Sequence, residues 1–235
     1  MQRTEVDSPM AFAGFRGLPE EVRDHIRERI LAGAFDDGAR IVERELAADL
    51  GVSRGPVRDA LRLLEAEGLV ISSPRRGTRV AMPNADDAAE MFAIRAALEP
   101  LAAAMLLRRG APEALRELEA AVAELEAAAA ANDWARAIAG DLRFHGVIFR
   151  WSGSRRLTRI WEGMHNSLLQ IFRLHRPLYR SIDEVPVRHR AYLDAIQNGD
   201  VAEVERHAAE HVTEFRDRLM RQFDARVQSN ESAGG

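Results

Sequence analysis

Apolar residues at spacings of three and four begin with Val22, Ile26 and Ile30, which predicts an amphipathic helix over Leu18–Leu31. The stretch "AGAFDDGAR", rich in glycine and aspartate, breaks it. A second helix fits Glu43–Leu50 and a third fits Arg54–Glu67. Ser53 stands at the N-cap of the third, Pro56 falls in its first turn where proline is tolerated, and Gly68 ends it. The run "LVISSPRRGTRVAM" then reads as two short strands around a turn at Pro74 to Gly77.

The pattern changes near Pro83. From Asn84 onward only long helical periods remain, fitting roughly 85–109, 112–130, 133–151, 155–176, 186–198 and 200–226. Gly110, Gly153, Pro177, Pro186 and Gly199 punctuate them, and Asn132 marks a shorter break. The alanine-rich "ELEAAVAELEAAAAAND" keeps helical spacing and reads as an ordinary helix. The expected architecture is mainly α: a winged helix-turn-helix over 15–82, with three helices and a β-hairpin wing, then an all-helical bundle over 84–228. Residues 1–14 and 229–235 read as flexible tails.

Composition narrows the class. With 46% hydrophobic and 30% charged residues in 235, the chain reads as soluble and globular, with room for two domains. No apolar run reaches bilayer length, and the first fourteen residues lack the apolar core of a signal peptide. The absence of cysteine excludes disulfide and thiolate chemistry and fits a cytoplasmic protein. A net charge of −4 does not by itself announce a nucleic-acid binder. All 33 basic residues are arginine, which is the composition of a GC-rich genome.

Local charge tells a different story. Within "ERELAADLGVSRGPVRDALRLLEAEGLV", the small Ala47 sits where two helices must approach, Gly51 occupies the turn, and Val57 packs the second helix onto the first. That spacing is the steric logic of a helix-turn-helix. From Arg54 to Arg79 six arginines face three acids. Arg54 and Arg58 lie at the end of the second helix that enters a major groove, where Arg58 is a candidate for bidentate contact with guanine. Ser53 precedes them, Arg44 begins the preceding helix within reach of a phosphate, and Arg75, Arg76 and Arg79 surround Gly77 on the wing. The alternative is a solvated helix face with local ion pairs.

The residues "LAADLGVSRGPVRDALRLLEAEGLV", followed by "PRRGTRV", resemble the winged domain of GntR-family transcription regulators over about Leu18 to Met82. The resemblance implies Arg44, Arg54 and Arg58 as DNA contacts and Gly77 as the wing glycine. Two positions depart from the family pattern: Gly55 stands where threonine is common, and Asp37 where the loop often has proline.

The helical half poses a chemical puzzle. Ile138, Asp141, His145 and Ile148 form one helical stripe that faces a core, yet two of them are polar. His189 has Tyr192, Leu193 and Ile196 at helical spacings. His211 lies on a seam with Val204, Ala208, Phe215 and Leu219. A buried unpaired carboxylate costs several kcal/mol, roughly 3–5 when a partner is removed, and a divalent cation would offset that cost for all four residues at once. Three imidazoles and one carboxylate suit Zn²⁺ first, with Ni²⁺, Mn²⁺ or Fe²⁺ also accommodated, and disfavour Ca²⁺. Arg95 borders the Met91, Ile94, Leu98 seam and either reaches the cavity to meet an anion or pairs with Glu99. Asn166 is a second candidate for the pocket wall. His25, His165, His175 and His207 read as surface or pocket-edge residues.

The segments "IRAALEPLAA", "DLRFHGVIFRWSGS", "RHRAYLDAIQNGD" and "AAEHV" are similar to the helical FCD effector domain of FadR-like GntR regulators, across nearly all of Asn84 to Arg226. The resemblance implies Asp141, His145, His189 and His211 as metal ligands. Ser154 departs from it, standing where asparagine is frequent. The expectation is a non-enzymatic, homodimeric DNA-binding regulator, a repressor, that recognises double-stranded operator DNA. Its metal site would accept a small carboxylate effector, with Arg95 and Asn166 as the effector contacts. Rival readings are a regulator that senses the metal itself and a metal-dependent hydrolase. Against the hydrolase, no HExxH-type glutamate flanks the ligands.

Overall fold

The computed structural model describes residues 17–31, 33–36, 38–74, 76–82, 84–174 and 179–233. Asp37, Arg75, His175, Pro83, Pro177 and the tail 1–14 lie outside the described residues. The chain divides into two compact units, 1–82 and 83–235.

In the first unit α1 (Leu18–Leu31), α2 (Glu43–Leu50) and α3 (Arg54–Ala66) bury Val22, Ile26, Ile30, Leu46, Val57, Leu61 and Leu64 against one another. Each such side chain contributes roughly 1.5–3 kcal/mol of transfer free energy. Ala47 is buried, and Gly51 closes α2 at φ 67°, a left-handed conformation that a Cβ would strain. Arg27 of α1 donates to Glu67 beyond the end of α3, with Nε 2.9 Å from Oε2. The wing is a three-stranded antiparallel sheet in the order β1-β3-β2, of β1 (Arg40–Ile41), β2 (Val70–Ser73) and β3 (Gly77–Val80). The hairpin β2–β3 was expected and β1 was not. Two residues inside a segment that reads as loop carry no alternation, and they become a strand because β3 offers a free edge.

The second unit contains α4 (Ala85–Arg109), α5 (Pro112–Ala130), α6 (Trp134–Trp151), α7 (Arg155–Leu174), α8 (Glu184–Asn198) and α9 (Val201–Ala233). Asn84 opens α4 with a capping box completed by Asp87. The core joins Leu118 and Val122 of α5, Phe144 and Ile148 of α6, Leu168 and Ile171 of α7, Leu193 and Ile196 of α8, and Val204 and Leu219 of α9. A Cβ at Gly140 would come within 2.8 Å of Leu125, so glycine is what lets α6 close on α5. Ser154 Oγ accepts from Leu157 N at 3.3 Å, so the residue that departs from the family pattern still caps α7.

Three expectations change. Helix α8 begins at Glu184, because Pro186 is accommodated in a first turn that needs no donor. Helix α9 runs to Ala233, past the expected end near 226 and through most of the stretch read as a tail. The buried face of α4 carries Phe92, Arg95, Glu99 and Ala102, while Ile94 is 40% exposed. Apolar residues nearly encircle α4, so its pattern did not choose a face. The ion pair did, by turning inward. Among the described residues no helix is long and apolar enough to cross a membrane.

Candidate nucleic-acid interface and metal centre

Arg54 and Arg58 project from the first turns of α3, and both are exposed. One carboxylate holds them together. Glu43 Oε2, at the start of α2, lies 3.1 Å from Arg58 Nη2 and 3.6 Å from Arg54 Nη2. The two guanidinium groups and Arg58's bond hold the Glu43 carboxyl below its usual value. Arg44 is exposed, with Glu45 Oε1 4.0 Å from its Nη2. Ser53 is the N-cap residue of α3, and its side chain makes no cap hydrogen bond. On the wing Arg76 is exposed at the tip beside Gly77, which has φ 71°. Arg79 donates to Gly38 O at 3.0 Å. Arg40, paired with Arg79 across the sheet, adds an exposed guanidinium that sequence reading passed over.

In the helical unit α6, α8 and α9 bring His145, His189 and His211 together, with one nitrogen of each within 4.8 Å of the others. Asp141 joins them, with Oδ1 3.2 Å from His189 Nε2 and Oδ2 3.9 Å from His145 Nε2. Asp141, His145 and His189 are buried, and His211 is half-buried.

The hydrogen bonds of the far ring nitrogens fix the near ones. His189 Nδ1–H donates to Val185 O at 2.8 Å, one turn back on α8. His145 Nδ1–H donates to Glu99 Oε1 at 2.5 Å. In a neutral ring each Nε2 is a lone pair turned towards the Asp141 carboxylate, whereas a second proton would let His189 Nε2 donate to Asp141 Oδ1 at 3.2 Å. His189 Nε2 and Asp141 Oδ2 have no hydrogen-bond partner. His189 Nε2 and Asp141 Oδ1, 3.2 Å apart, need either a proton or a cation between them, and with the nitrogens of His145 and His211 beside them these residues fit a divalent metal ion.

The electrostatics agree. Burial lowers His145, against the pull of Glu99. Burial, followed by the neighbouring imidazoles and arginines, pushes His211 well below the ordinary imidazole value, so both rings are neutral and able to ligate. Burial works to raise Asp141, but positive charge on the His189 and His145 rings when they are protonated, together with Arg95, outweighs it and holds the carboxyl at about 2, so that low value belongs to the protonated rings and not to the ligating state.

Arg95 does both things its position allowed. It donates to Glu99 Oε2 through Nε (3.2 Å) and Nη2 (2.9 Å), and it lines the cavity beside Asp141. Asn166 sits half-exposed on α7 and is not among the residues lining that cavity. His165 and His207 are partly exposed. Sequence reading did not find Glu99 as the partner of His145, nor Arg188 in the cavity wall. The RHR triplet around His189 was the only signal for Arg188.

A winged helix with guanidinium groups on its second helix and its wing defines the class: a DNA-binding protein that reads duplex. The comparisons supply the family. Residues 18–80 match the model described as bacterial regulatory proteins, gntR family, and residues 90–214 match the FCD domain. The chain is 31% identical over 194 residues to the "Probable D-xylose utilization operon transcriptional repressor" of Paenarthrobacter nicotinovorans, covering 83% of this chain and 84% of that protein. It is 26% identical over 180 residues to the gluconate operon transcriptional repressor of Bacillus licheniformis, covering 74% of each. The solved structure of Escherichia coli McbR/YncC has the same fold, with a TM-score of 0.72 at 23% identity over 89% of this chain and 100% of that one. The chain thus belongs to the GntR family of transcription regulators, in the group that carries an FCD domain.

Proposed function

We propose that this regulator is a repressor whose operator binding responds to a small carboxylate held at a metal site in the FCD domain. The observation that carries this reading is the convergence of buried ligand atoms. His189 Nε2 and Asp141 Oδ1 stand 3.2 Å apart, buried, beside the nitrogens of His145 and His211. A bound divalent ion, zinc first, supplies positive charge and open coordination positions for an acid. The chain's own residues do the rest. Val185 O and Glu99 orient two imidazoles, burial favours the neutral form of His145 and His211, and Arg95 balances Glu99. Repression is supported by the names of the xylose and gluconate relatives. A homodimer acting in the cytoplasm fits a single winged unit, because palindromic operators need two-fold symmetry. An acid that favours one arrangement of the DNA-binding units by a few kcal/mol, roughly 3–5, would release DNA.

A second reading, that the metal itself is the signal, is favoured by the size of the cavity. It has room of about 10 Å³, that of a single water. Metal content of the purified protein, then operator binding titrated with metal alone and with metal plus acids, tests both. Release that requires an acid supports the first reading. Release by metal alone supports the second, and protein that takes up no metal sinks both.

A further inference from the structure

The sheet of the winged unit carries a row of side chains that its packing does not use. Val70 and Val80, paired across β2 and β3, are buried, so strand alternation puts Ile71 and Arg79 on the outer face. Arg40 of β1, Arg79 of β3 and Ile71 of β2 stand directly across from one another there. All three are exposed, Ile71 by 58%. Like charges directly opposite on neighbouring strands destabilise a sheet. On α3, Arg54, Arg58 and Arg62 have a carboxylate oxygen at 3.6, 3.1 and 3.4 Å. Among the described residues no carboxylate pairs with Arg40, Arg76 or Arg79. The sheet keeps a positive charge that the unit does not neutralise.

Arg40 also reaches beyond its own row. A Cβ placed on Gly77, two residues nearer the wing tip than Arg79, would lie 3.5 Å from Arg40 Nε and 3.6 Å from Nη2. The guanidinium thus lies along the bare backbone of Gly77. Arg79 is held apart from it, its Nη1 donating to Gly38 O at 3.0 Å. The tip is therefore slender: a turn closed from Arg76 N to Ser73 O, a glycine, and a guanidinium supplied by a third strand.

Duplex DNA offers a place that matches this shape and charge. Its minor groove is about 6 Å wide, and where A·T pairs narrow it the negative potential deepens and draws in arginine. The groove walls are deoxyribose, which suits an exposed isoleucine better than a phosphate does. With α3 in the major groove, the sheet of the same unit would face the adjoining minor groove. We propose that Arg40, supplied by β1 from outside the hairpin, enters the minor groove beside the half-site, and that the Arg40–Arg79–Ile71 row makes binding favour A·T-rich over G·C-rich flanks. This needs only the DNA binding that family membership gives, and it is independent of the metal and of any effector.

The test uses full-length protein and a core duplex obtained by selection from a random-sequence library. Three versions of it differ only in their flanks, built of A·T, G·C or inosine·C pairs. Inosine lacks the guanine 2-amino group, so I·C resembles A·T in the minor groove and G·C in the major groove. Anisotropy titrations on one preparation are compared as ratios, so the state of the helical domain cancels. Wild type should bind the A·T- and I·C-flanked duplexes alike, at least about fivefold more tightly than the G·C-flanked one. Arg40→Gln should reduce that preference to within about twofold, whereas Arg76→Ala should leave it in place. Melting curves establish that the variant is folded. If it is not, Arg40→Lys, which keeps the charge but not the planar fork, carries the same expectation. Any of three results would overturn the inference: a wild type indifferent to the flanks, I·C flanks that behave like G·C, or a folded Arg40 variant with the preference intact.

Discussion

Glu43 grips Arg58 with both oxygens, Oε2 3.1 Å from Nη2 and Oε1 3.5 Å from Nε, and the same Oε2 is 3.6 Å from Arg54. If Arg54 and Arg58 contact DNA as proposed, this carboxylate would have to be displaced by a phosphate or a guanine edge, and it would compete with any duplex that does not reward that displacement.

Two substitutions separate reading from holding. Arg58→Ala is expected to abolish operator-specific binding while the fold is retained, since the residue makes no core contact. Glu43→Gln is expected to raise affinity for random duplex about two- to fivefold and to narrow the ratio of specific to non-specific binding. Gel-shift or anisotropy titrations with operator and scrambled duplex measure both. An Arg58→Ala protein with unchanged operator affinity would remove Arg58 from the base-reading role.

Arg76, exposed at the wing tip, should behave differently. Arg76→Ala is expected to weaken operator and scrambled DNA alike, with the slope of log K against log salt falling by about one. A loss confined to the operator would mean that Arg76 reads sequence.

Removing a ligand tests the metal centre. His189→Ala is expected to purify with little or no metal, and chelator should lower the melting temperature of wild type but not of the variant. All three tryptophans lie in the helical unit, so their fluorescence follows its unfolding. A wild-type melting curve indifferent to chelator would return the four residues to a buried hydrogen-bond network.

Glu99 acts on the same centre through His145. Glu99→Gln keeps the shape but weakens the acceptor that fixes the ring, and metal affinity should fall about 10- to 100-fold. Competition with a chromophoric chelator gives the number. Affinity within about twofold of wild type would make Glu99 a partner of Arg95 alone.

Acid should destabilise the metal-free protein. Unfolded imidazoles take up protons below about pH 6.5, whereas burial keeps His145 and His211 neutral to lower pH in the folded state. The unfolded chain then binds more protons, so the stability these rings contribute is full above about 6.5 and declines as pH falls. Asp141, held at about 2, adds a further loss from about pH 4 downward. Melting in chelator at pH 7.5 and 5.5 is expected to give the lower temperature at 5.5. The opposite order would mean that the rings are charged in the folded state.

Much of this molecule was legible in order of residues alone. Helical spacing, Ser53, Gly51 and Gly68 locate the helix-turn-helix because caps, turns and periodicity are local properties of a few neighbouring residues. The polar residues on apolar seams marked Asp141, His145, His189 and His211 for the same reason, each being judged against its own helix. Whether they meet is not local. Only the packing of α6, α8 and α9 brings three imidazole nitrogens within 4.8 Å, and only the inward turn of α4 places Glu99 on His145 and occupies Arg95. Likewise β1 exists because β3 has an edge, and Glu43 reaches Arg58 because two helices cross. Arg40 reaches Gly77 through a contact between residues far apart in the chain, which no spacing along it encodes.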